Sequence, residues 1–322
     1  MIVVDDSVRP SVGRQYDVIA IDAATVLIRS PDQGVRASVA GTRADDLAEW
    51  LRMLDGTRTA GELRRERPLS DGFETLLREL VARGIVRTDA PADPLTSDAR
   101  LFAQYHDDPI ACRERLVASR VAICGGGRLA TLIRDDLTAA GVGRTEVTTE
   151  ADGRELRGAD LVIACLATPR DPVAEMVAGV AASEQRAWLP VLLFGGSGFV
   201  GPLFVAGDGP CHECLWTREQ ANWADPELTR AYYDRLNEDR GSFDRYGSLP
   251  VFESLISQWT VLEATKFLSR FTIPVLFGSI LRIDFMRAST QRHRVLKVPR
   301  CRGCSPATRR PQVDSQLFSR PS

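Results

Sequence analysis

Residues 121–130, VAICGGGRLA, decide the fold class of this 322-residue chain. The apolar run at its start predicts a buried strand, and the pattern after the glycines predicts a helix to about residue 140. A further strand pattern at 145–148 completes a strand, turn, helix and strand in that order. Such a unit is typical of a parallel sheet, so the sequence predicts a Rossmann-like α/β domain. The turn itself consists of Gly125, Gly126 and Gly127.

This glycine turn has two explanations, and the sequence leaves both open. Glycines let the backbone approach a phosphate at a helix N-terminus, where free N–H groups and the helix dipole favour an anion. The same residues also allow a helix to pack closely on the strand that precedes it. A glycine turn therefore indicates nucleotide binding only when the surrounding sequence supports it.

Further along the chain, PCHEC and PRCRGC each contain a C-x-x-C pair among turn-forming residues. The four cysteines are Cys211, Cys214, Cys301 and Cys304. Two such pairs supply the four thiolates of a tetrahedral zinc site, and a site closed by four cysteines is structural rather than catalytic. The alternatives are two disulfides or a redox C-x-x-C. His212, inside the first pair, is expected to point outward.

The composition and charge of the chain indicate which cellular compartment and which binding partners to expect. The net charge of −2 gives no general attraction to nucleic acid or to an anionic membrane. No apolar run is long enough to span a bilayer, and the N-terminus MIVVDDSVRP lacks a basic-then-apolar signal. We therefore predict a cytoplasmic protein, where paired cysteines bind metal more often than they oxidise.

The sequence also predicts two domains. Residues 1–89 show three short strand patterns followed by three helical ones, which predicts a small winged-helix-like unit. Residues 90–98 are rich in Pro, Asp and Ala and are expected to form a linker. The α/β domain then covers 99–305, and 306–322 are predicted to be disordered. Within the α/β domain, 217–250 show no strong period and are predicted to form a long crossover or mobile loop.

Together, the glycine turn, the crossover and the paired cysteines resemble the ThiF/MoeB superfamily over about residues 99–305. The resemblance implies that Cys211, Cys214, Cys301 and Cys304 hold structural zinc. It also implies that Gly125 and Gly127 belong to a nucleotide loop used to adenylate a carboxyl terminus.

The departures from that family concern the charges that handle ATP. No D-x-D pair follows the second strand, which ends Glu146-Val147-Thr148-Thr149-Glu150, and no N-x-x-N-R string comes after it. Cys165-Leu166-Ala167-Thr168 stands where the family has C-T-D-N. Adenylation requires counter-charges on the triphosphate and its metal. We therefore predict a degenerate loop at Gly125, Gly126 and Gly127 and do not expect ATP as a cofactor, with Arg170 or Asp171 as the only candidate substitutes.

The N-terminal unit, with LDGTRTAGEL and LLRELVARGIV, resembles the PqqD-like leader-recognition domain of ribosomal-peptide maturation. Joined to a ThiF-like domain, it resembles the ocin-ThiF-like partner of azoline-forming cyclodehydratases. The resemblance implies two partners: the leader of a precursor peptide, and a separate YcaO-type protein that binds ATP and performs the cyclisation. It implies no catalysis by this chain alone. ThiF-like domains also often form homodimers, and no sequence feature decides this.

Leader capture is expected to occur by strand addition. The predicted edge consists of Val35, Arg36, Ala37, Ser38 and Val39, and the neighbouring helix face contributes Phe73, Leu77 and Arg78. Apolar residues at helical spacing usually face the core, so core packing explains Leu77 equally well.

Two other functions remain as alternatives. One is an ATP-dependent enzyme that adenylates a peptide carboxyl terminus. The other is DNA binding by the winged helix, but residues 1–89 carry 13 Arg against 15 Asp and Glu. This unit lacks the basic surface that binds phosphates, so nucleic acid is not an expected partner.

Overall fold

The computed structural model describes residues 4–13, 15–30, 34–66, 71–88, 97–149, 156–238 and 247–305. The chain forms two compact units, Met1–Pro109 and Ile110–Ser322. This division falls beyond the predicted linker, since residues 97–109 group with the first unit. Residues 90–96 of that linker and the whole predicted tail lie outside the described residues.

The first unit contains the predicted strands and helices in the predicted order. Its strands are β1 (Ser11–Val12), β2 (Asp17–Ala20), β3 (Val26–Arg29), β4 (Gly34–Ala37) and β5 (Val86–Arg87). Its helices are α1 (Ala44–Met53), α2 (Ala60–Glu66), α3 (Asp71–Ala82) and α4 (Ser97–Phe102). β2, β3 and β4 form an antiparallel sheet in that order, and β1 pairs with β5.

One apolar core holds this unit together. Leu47, Trp50 and Leu51 project from α1 at helical spacing and are almost fully buried, together with Leu77 and Leu80 of α3. α2 begins with a capping box, in which the Thr59 N–H donates to Glu62 Oε2 (2.7 Å) and the Glu62 N–H donates to Thr59 Oγ1 (3.2 Å). This box satisfies two N–H groups that the first helical turn leaves unpaired.

The second unit is built on one large mixed sheet. Its strands are β6 (Arg120–Cys124), β7 (Arg144–Thr148), β8 (Leu161–Leu166), β9 (Ala187–Phe194), β10 (Ser197–Val200), β11 (Phe204–Val205), β12 (Ser279–Asp284) and β13 (Ser289–Arg294). The order is β13-β12-β10-β9-β8-β6-β7, and β11 pairs with β9. β7, β6, β8 and β9 are parallel, and the pairs on the β10 side are antiparallel. The predicted strand–turn–helix–strand unit is confirmed, and the fold is mixed α/β.

Helices accompany this sheet along the chain. They are α5 (Pro109–Ala118), α6 (Gly127–Ala139), α7 (Pro172–Ser183), α8 (His212–Gln220), α9 (Pro226–Glu238) and α10 (Pro250–Ser269). The prediction of a long crossover or mobile loop at 217–250 misses two helical stretches, because residues 217–220 belong to α8 and residues 226–238 form α9. Leu236 is the buried residue of this helix, and most of its other side chains are polar or charged, so no long apolar stripe marks it in the sequence. Among the described helices, none has the length and apolar character needed to cross a membrane.

Candidate functional site

The glycine turn lies at the carboxyl end of β6, and close packing accounts for Gly125. This residue has φ +134°, and its N–H donates to the carbonyl of Thr148 at 2.9 Å. A Cβ on Gly125 would lie 2.8 Å from the Cβ of Cys165 and 2.9 Å from its carbonyl oxygen. Only glycine fits between these strand ends, whether or not a phosphate binds. Gly127, with φ +80°, has open space around it.

The end of β8, next to the glycine turn, is covered by α9. Thr168 is fully buried, and its hydroxyl donates to Asn237 Oδ1 at 2.8 Å. Asn237 Nδ2 in turn donates to the carbonyl of Arg170 at 2.7 Å. The amide of Asn237 thus fastens α9 to the loop that follows β8. Sequence analysis missed Asn237, because its partners lie almost seventy residues away and no local pattern marks the contact.

Arg170 and Asp171 are the candidates to replace the missing nucleotide-binding charges. Both of them contact other residues of the same domain. The Arg170 guanidinium lies 4.7 Å above the Trp216 ring and 3.7 Å from the Asp234 carboxylate. The Asp171 carboxylate accepts from the N–H groups of Val173 (3.0 Å) and Ala167 (2.9 Å), which caps α7. Adenylation needs charges free to meet the triphosphate and its metal. These two residues therefore do not fit a magnesium–ATP complex.

The four predicted zinc ligands are brought together from two distant parts of the chain. Cys211 Sγ lies 3.8 Å from Cys214 Sγ and 3.6 Å from Cys301 Sγ, and Cys214 Sγ lies 3.5 Å from Cys304 Sγ. All four sulfur atoms lie within 4.8 Å of one another. A tetrahedral zinc with bonds of about 2.3 Å requires sulfur separations of about 3.8 Å. The four cysteines therefore fit a zinc ion, whereas a disulfide would require sulfurs about 2.05 Å apart.

Neighbouring backbone supports this cluster. The Val298 N–H donates to Cys214 Sγ at 3.3 Å, and a hydrogen bond of this kind holds a thiolate ligand in position. A Cβ on Gly303 would lie 3.1 Å from Cys211 Sγ, so glycine leaves room for the sulfur. Burial raises the pKa of the Cys304 thiol to about 11. A metal that binds here must therefore displace protons from the cysteines.

His212 faces the domain interior, so the expectation that it points outward is wrong. Its ring centre lies 5.5 Å from that of Trp188 and 6.2 Å from that of Phe204. The reason is helical geometry: α8 begins at His212, which shares a face with Leu215, and Leu215 packs against the core. Burial lowers the pKa of His212, and the residue lines a cavity of about 670 Å³ beside the cysteine cluster.

In the first unit, the predicted peptide-binding strand is an outer strand of its described sheet. β4 pairs with β3 on one side, with Val35 opposite Ile28 and Arg36 opposite Leu27. Arg36 is exposed and Val35 is half-buried, whereas Ala37 is buried in the core. Ser38 and Val39 follow the strand, and Val39 is also buried.

The predicted peptide-binding residues of α3 also differ in their exposure. Leu77 is 2% exposed and belongs to the core. Phe73 is half-buried, with its ring edge-on to Trp50 at a centroid distance of 5.0 Å. Arg78 Nε donates to the Glu74 carbonyl at 3.2 Å, and its side chain is partly exposed. Phe73 and Arg78 are thus accessible to a ligand, and Leu77 is not.

The fold and the cysteine cluster define the class: a mixed α/β protein with a site suited to a structural metal. Comparison with solved structures places this architecture beside two kinds of protein. A heterocyclase in complex with substrate and cofactor superposes with a TM-score of 0.69 at 17% identity, over 94% of this chain and 40% of the heterocyclase. The heterocyclase TruD gives 0.71 at 19% identity, over 92% of this chain and 43% of its own. The chain therefore spans less than half the length of these heterocyclases.

The other kind of neighbour is MccB of E. coli, which has also been solved with ATP. It gives a TM-score of 0.67 at 11% identity, over 93% of this chain and 99% of MccB. No protein-family model and no curated protein sequence matches the chain. At these identities the likeness establishes the shared fold.

Proposed function

We propose that this chain captures the leader of a ribosomally made precursor peptide and presents it to a separate YcaO-type cyclodehydratase, which it activates. That partner would bind ATP and convert Cys residues to thiazolines and Ser or Thr residues to oxazolines, which are five-membered azoline rings. The observation that supports the proposal most is the difference in coverage between this chain and the two heterocyclases. Almost all of this chain superposes on less than half of theirs, and a second protein would contribute the remaining part.

Leader binding is assigned to the outer strand β4. A leader segment would pair its backbone with this strand and place apolar side chains against Val35 and Phe73. Arg36 is exposed and could meet an acidic leader residue. Leu77 and Ala37 would act indirectly, by keeping β4 and α3 in place through the core. In this proposal the first unit is a PqqD-like recognition domain.

The glycine turn agrees with this division of labour. Gly125 is explained by its contact with Cys165, and Arg170 and Asp171 are engaged within the domain. A subunit that leaves ATP chemistry to its partner has no need for free charges at this strand end. In this proposal the four cysteines hold a structural zinc, which ties the start of α8 to the segment after β13.

The test is a titration of labelled leader peptide into the full chain, followed by the rate of the YcaO partner with and without it. We expect binding and a faster partner. Arg36→Glu should weaken leader binding, whereas Arg29→Glu, on the inner strand β3 of the same sheet, should not. A chain that binds no leader and leaves the partner's rate unchanged would refute the proposal.

The alternative is an enzyme that adenylates a peptide carboxyl terminus, and the match over 99% of MccB favours it. Pyrophosphate exchange with ATP, magnesium and cognate peptide separates the two functions. We expect no exchange above background from the isolated chain. Exchange that depends on the peptide would establish the enzyme and remove the need for a separate ATP-binding protein.

A further inference from the structure

The last strand of the large sheet, β13, has an open edge. β13 reads STQRHR and pairs with β12 along its whole length. It ends the strand order, so no described residue pairs with its other side. All six of its side chains are exposed. Along such an edge, every second residue turns its N–H and C=O away from the sheet and toward a potential partner strand.

The surroundings of this edge are strongly basic. Residues 285–305 contain six Arg and Lys and no Asp or Glu, although the whole chain has a net charge of −2. Arg287 pairs with Asp284 at 2.8 Å. The other cations form no ion pair with any described residue: Arg292, Arg294, Lys297, Arg300 and Arg302.

The strand register places two arginines of β13 on one face of the sheet at this edge. Arg292 lies opposite Leu281 and Arg294 lies opposite Ser279, so these two arginines share one face of the sheet. On the other face, His293 lies opposite Ile280, and Gln291 lies opposite Arg282 of β12. A strand added to β13 would therefore have Arg292 and Arg294 beside its side chains on one face of the sheet.

We propose that β13 is a peptide-docking edge for an acidic extended segment, separate from the leader site on β4 and independent of it. The added segment would form backbone hydrogen bonds with β13 and place Asp or Glu residues at alternate positions beside Arg292 and Arg294. Like charges repel across paired strands, so this edge rejects a second copy of itself and accepts an acidic strand. The positive charge of this edge thus favours an acidic strand over a second copy of β13.

An extended peptide fits these observations better than another polyanion does. A nucleic acid or an anionic membrane could form ion pairs with the arginines. It would not form strand-type hydrogen bonds with the outward N–H and C=O groups of β13. The chain as a whole is slightly acidic, which opposes binding to a polyanion over a wide surface. The backbone groups therefore distinguish the two kinds of ligand.

The test is fluorescence anisotropy with the full chain and a labelled probe peptide of alternating Thr and Glu. We expect it to bind, and the same peptide with Lys for Glu not to bind. Reversing two charges, in Arg292→Glu/Arg294→Glu, should weaken binding about tenfold. The matched control is Arg230→Glu/Arg235→Glu, two exposed arginines on α9 in the same unit, which should leave binding unchanged.

A further probe separates strand addition from simple charge attraction. It is the acidic peptide methylated at alternate backbone nitrogens, which keeps its charge and cannot pair fully with an edge. We expect it to bind clearly more weakly. The proposal is overturned if the unmodified peptide does not bind at low salt, or if the methylated peptide or a short oligothymidylate binds equally well. These probes need no substitution, so the outcome holds even if a variant folds poorly.

Discussion

The hydroxyl of Thr168 donates a 2.8 Å hydrogen bond to Oδ1 of Asn237, and this bond holds α9 over the end of β8. The other end of the same amide donates to the Arg170 carbonyl at 2.7 Å. A single side chain therefore serves two partners in the loop that follows β8. In this chain the strand end is occupied by the protein's own helix.

Replacing Asn237 should loosen α9. Asn237→Ala leaves the buried hydroxyl of Thr168 and the Arg170 carbonyl without this partner, which costs about 1–3 kcal/mol for a buried group. Hydrogen exchange across 226–238 should become faster, while exchange in β8 changes little. Asn222→Ala is the control, because the side-chain amide of Asn222 donates to the Arg218 carbonyl in an exposed contact within its own segment. Equal exchange in both variants would mean that other contacts hold α9.

The glycine turn offers a second prediction, on stability. Gly125→Ala would force a Cβ to within 2.8 Å of Cys165 at a backbone angle that suits only glycine. We expect a loss of about 2–3 kcal/mol in the unfolding free energy of the second unit. Gly127→Ala, at φ +80° with open space, should cost about 1 kcal/mol. Urea unfolding measures both, and similar losses would show that close packing is not what requires Gly125.

Local patterns made the parallel sheet and the cysteine cluster predictable. The apolar run and glycines at 121–127 mark a strand and a turn, and each C-x-x-C pair marks two neighbouring ligands. The capping box at Thr59 and Glu62 was readable for the same reason, since its partners lie three residues apart. In each case the signal and the structure lie in one short segment.

What the sequence could not show depends on contacts between distant segments. Most side chains of α9 are polar or charged, so no apolar stripe marks this helix, and the contact of Asn237 with Thr168 has no local signature. The inward orientation of His212 depends on Trp188 and Phe204, which come from two different strands. The exposure of all six residues of β13 follows from its position in the strand order, which no single segment specifies.

The cysteine cluster predicts one zinc ion per chain. Native mass spectrometry or metal analysis should find it in the purified protein and lose it in Cys301→Ala, since three thiolates no longer complete the tetrahedron. Cys112→Ala is the matched control, because Cys112 is a buried cysteine outside the cluster. Zinc retained by Cys301→Ala at full occupancy would contradict the four-cysteine site.

Zinc affinity should also depend on pH in a defined direction. Burial raises the pKa of the Cys304 thiol to about 11, so this cysteine is protonated in the metal-free protein at neutral pH. Each protonated thiol releases its proton when it binds the metal as a thiolate, and acid therefore competes with zinc. Competition with a chelator at pH 8 and pH 6, corrected for the chelator's own protonation, should show weaker zinc binding at pH 6. Unchanged affinity would mean that the thiols are already ionised.

The last prediction concerns Glu219, on α8. Burial raises the pKa of this carboxyl above its ordinary value. The folded protein therefore binds the Glu219 proton more tightly than the unfolded chain does, and ionisation of this residue opposes folding. Stability should fall as the pH rises above the carboxyl's unfolded pKa. Glu219→Gln removes that loss, so it should stabilise the protein at pH 7 and make little difference at pH 4.

Urea unfolding at both pH values tests this, with Glu114→Gln as the control. Glu114 is an exposed glutamate on α5, and we expect its variant to match the original protein at both pH values. A gain in Glu219→Gln that is the same at pH 4 and pH 7 would assign the effect to packing of the amide. A gain confined to pH 7 would assign it to the buried charge, and would identify Glu219 as a group whose protonation the fold favours.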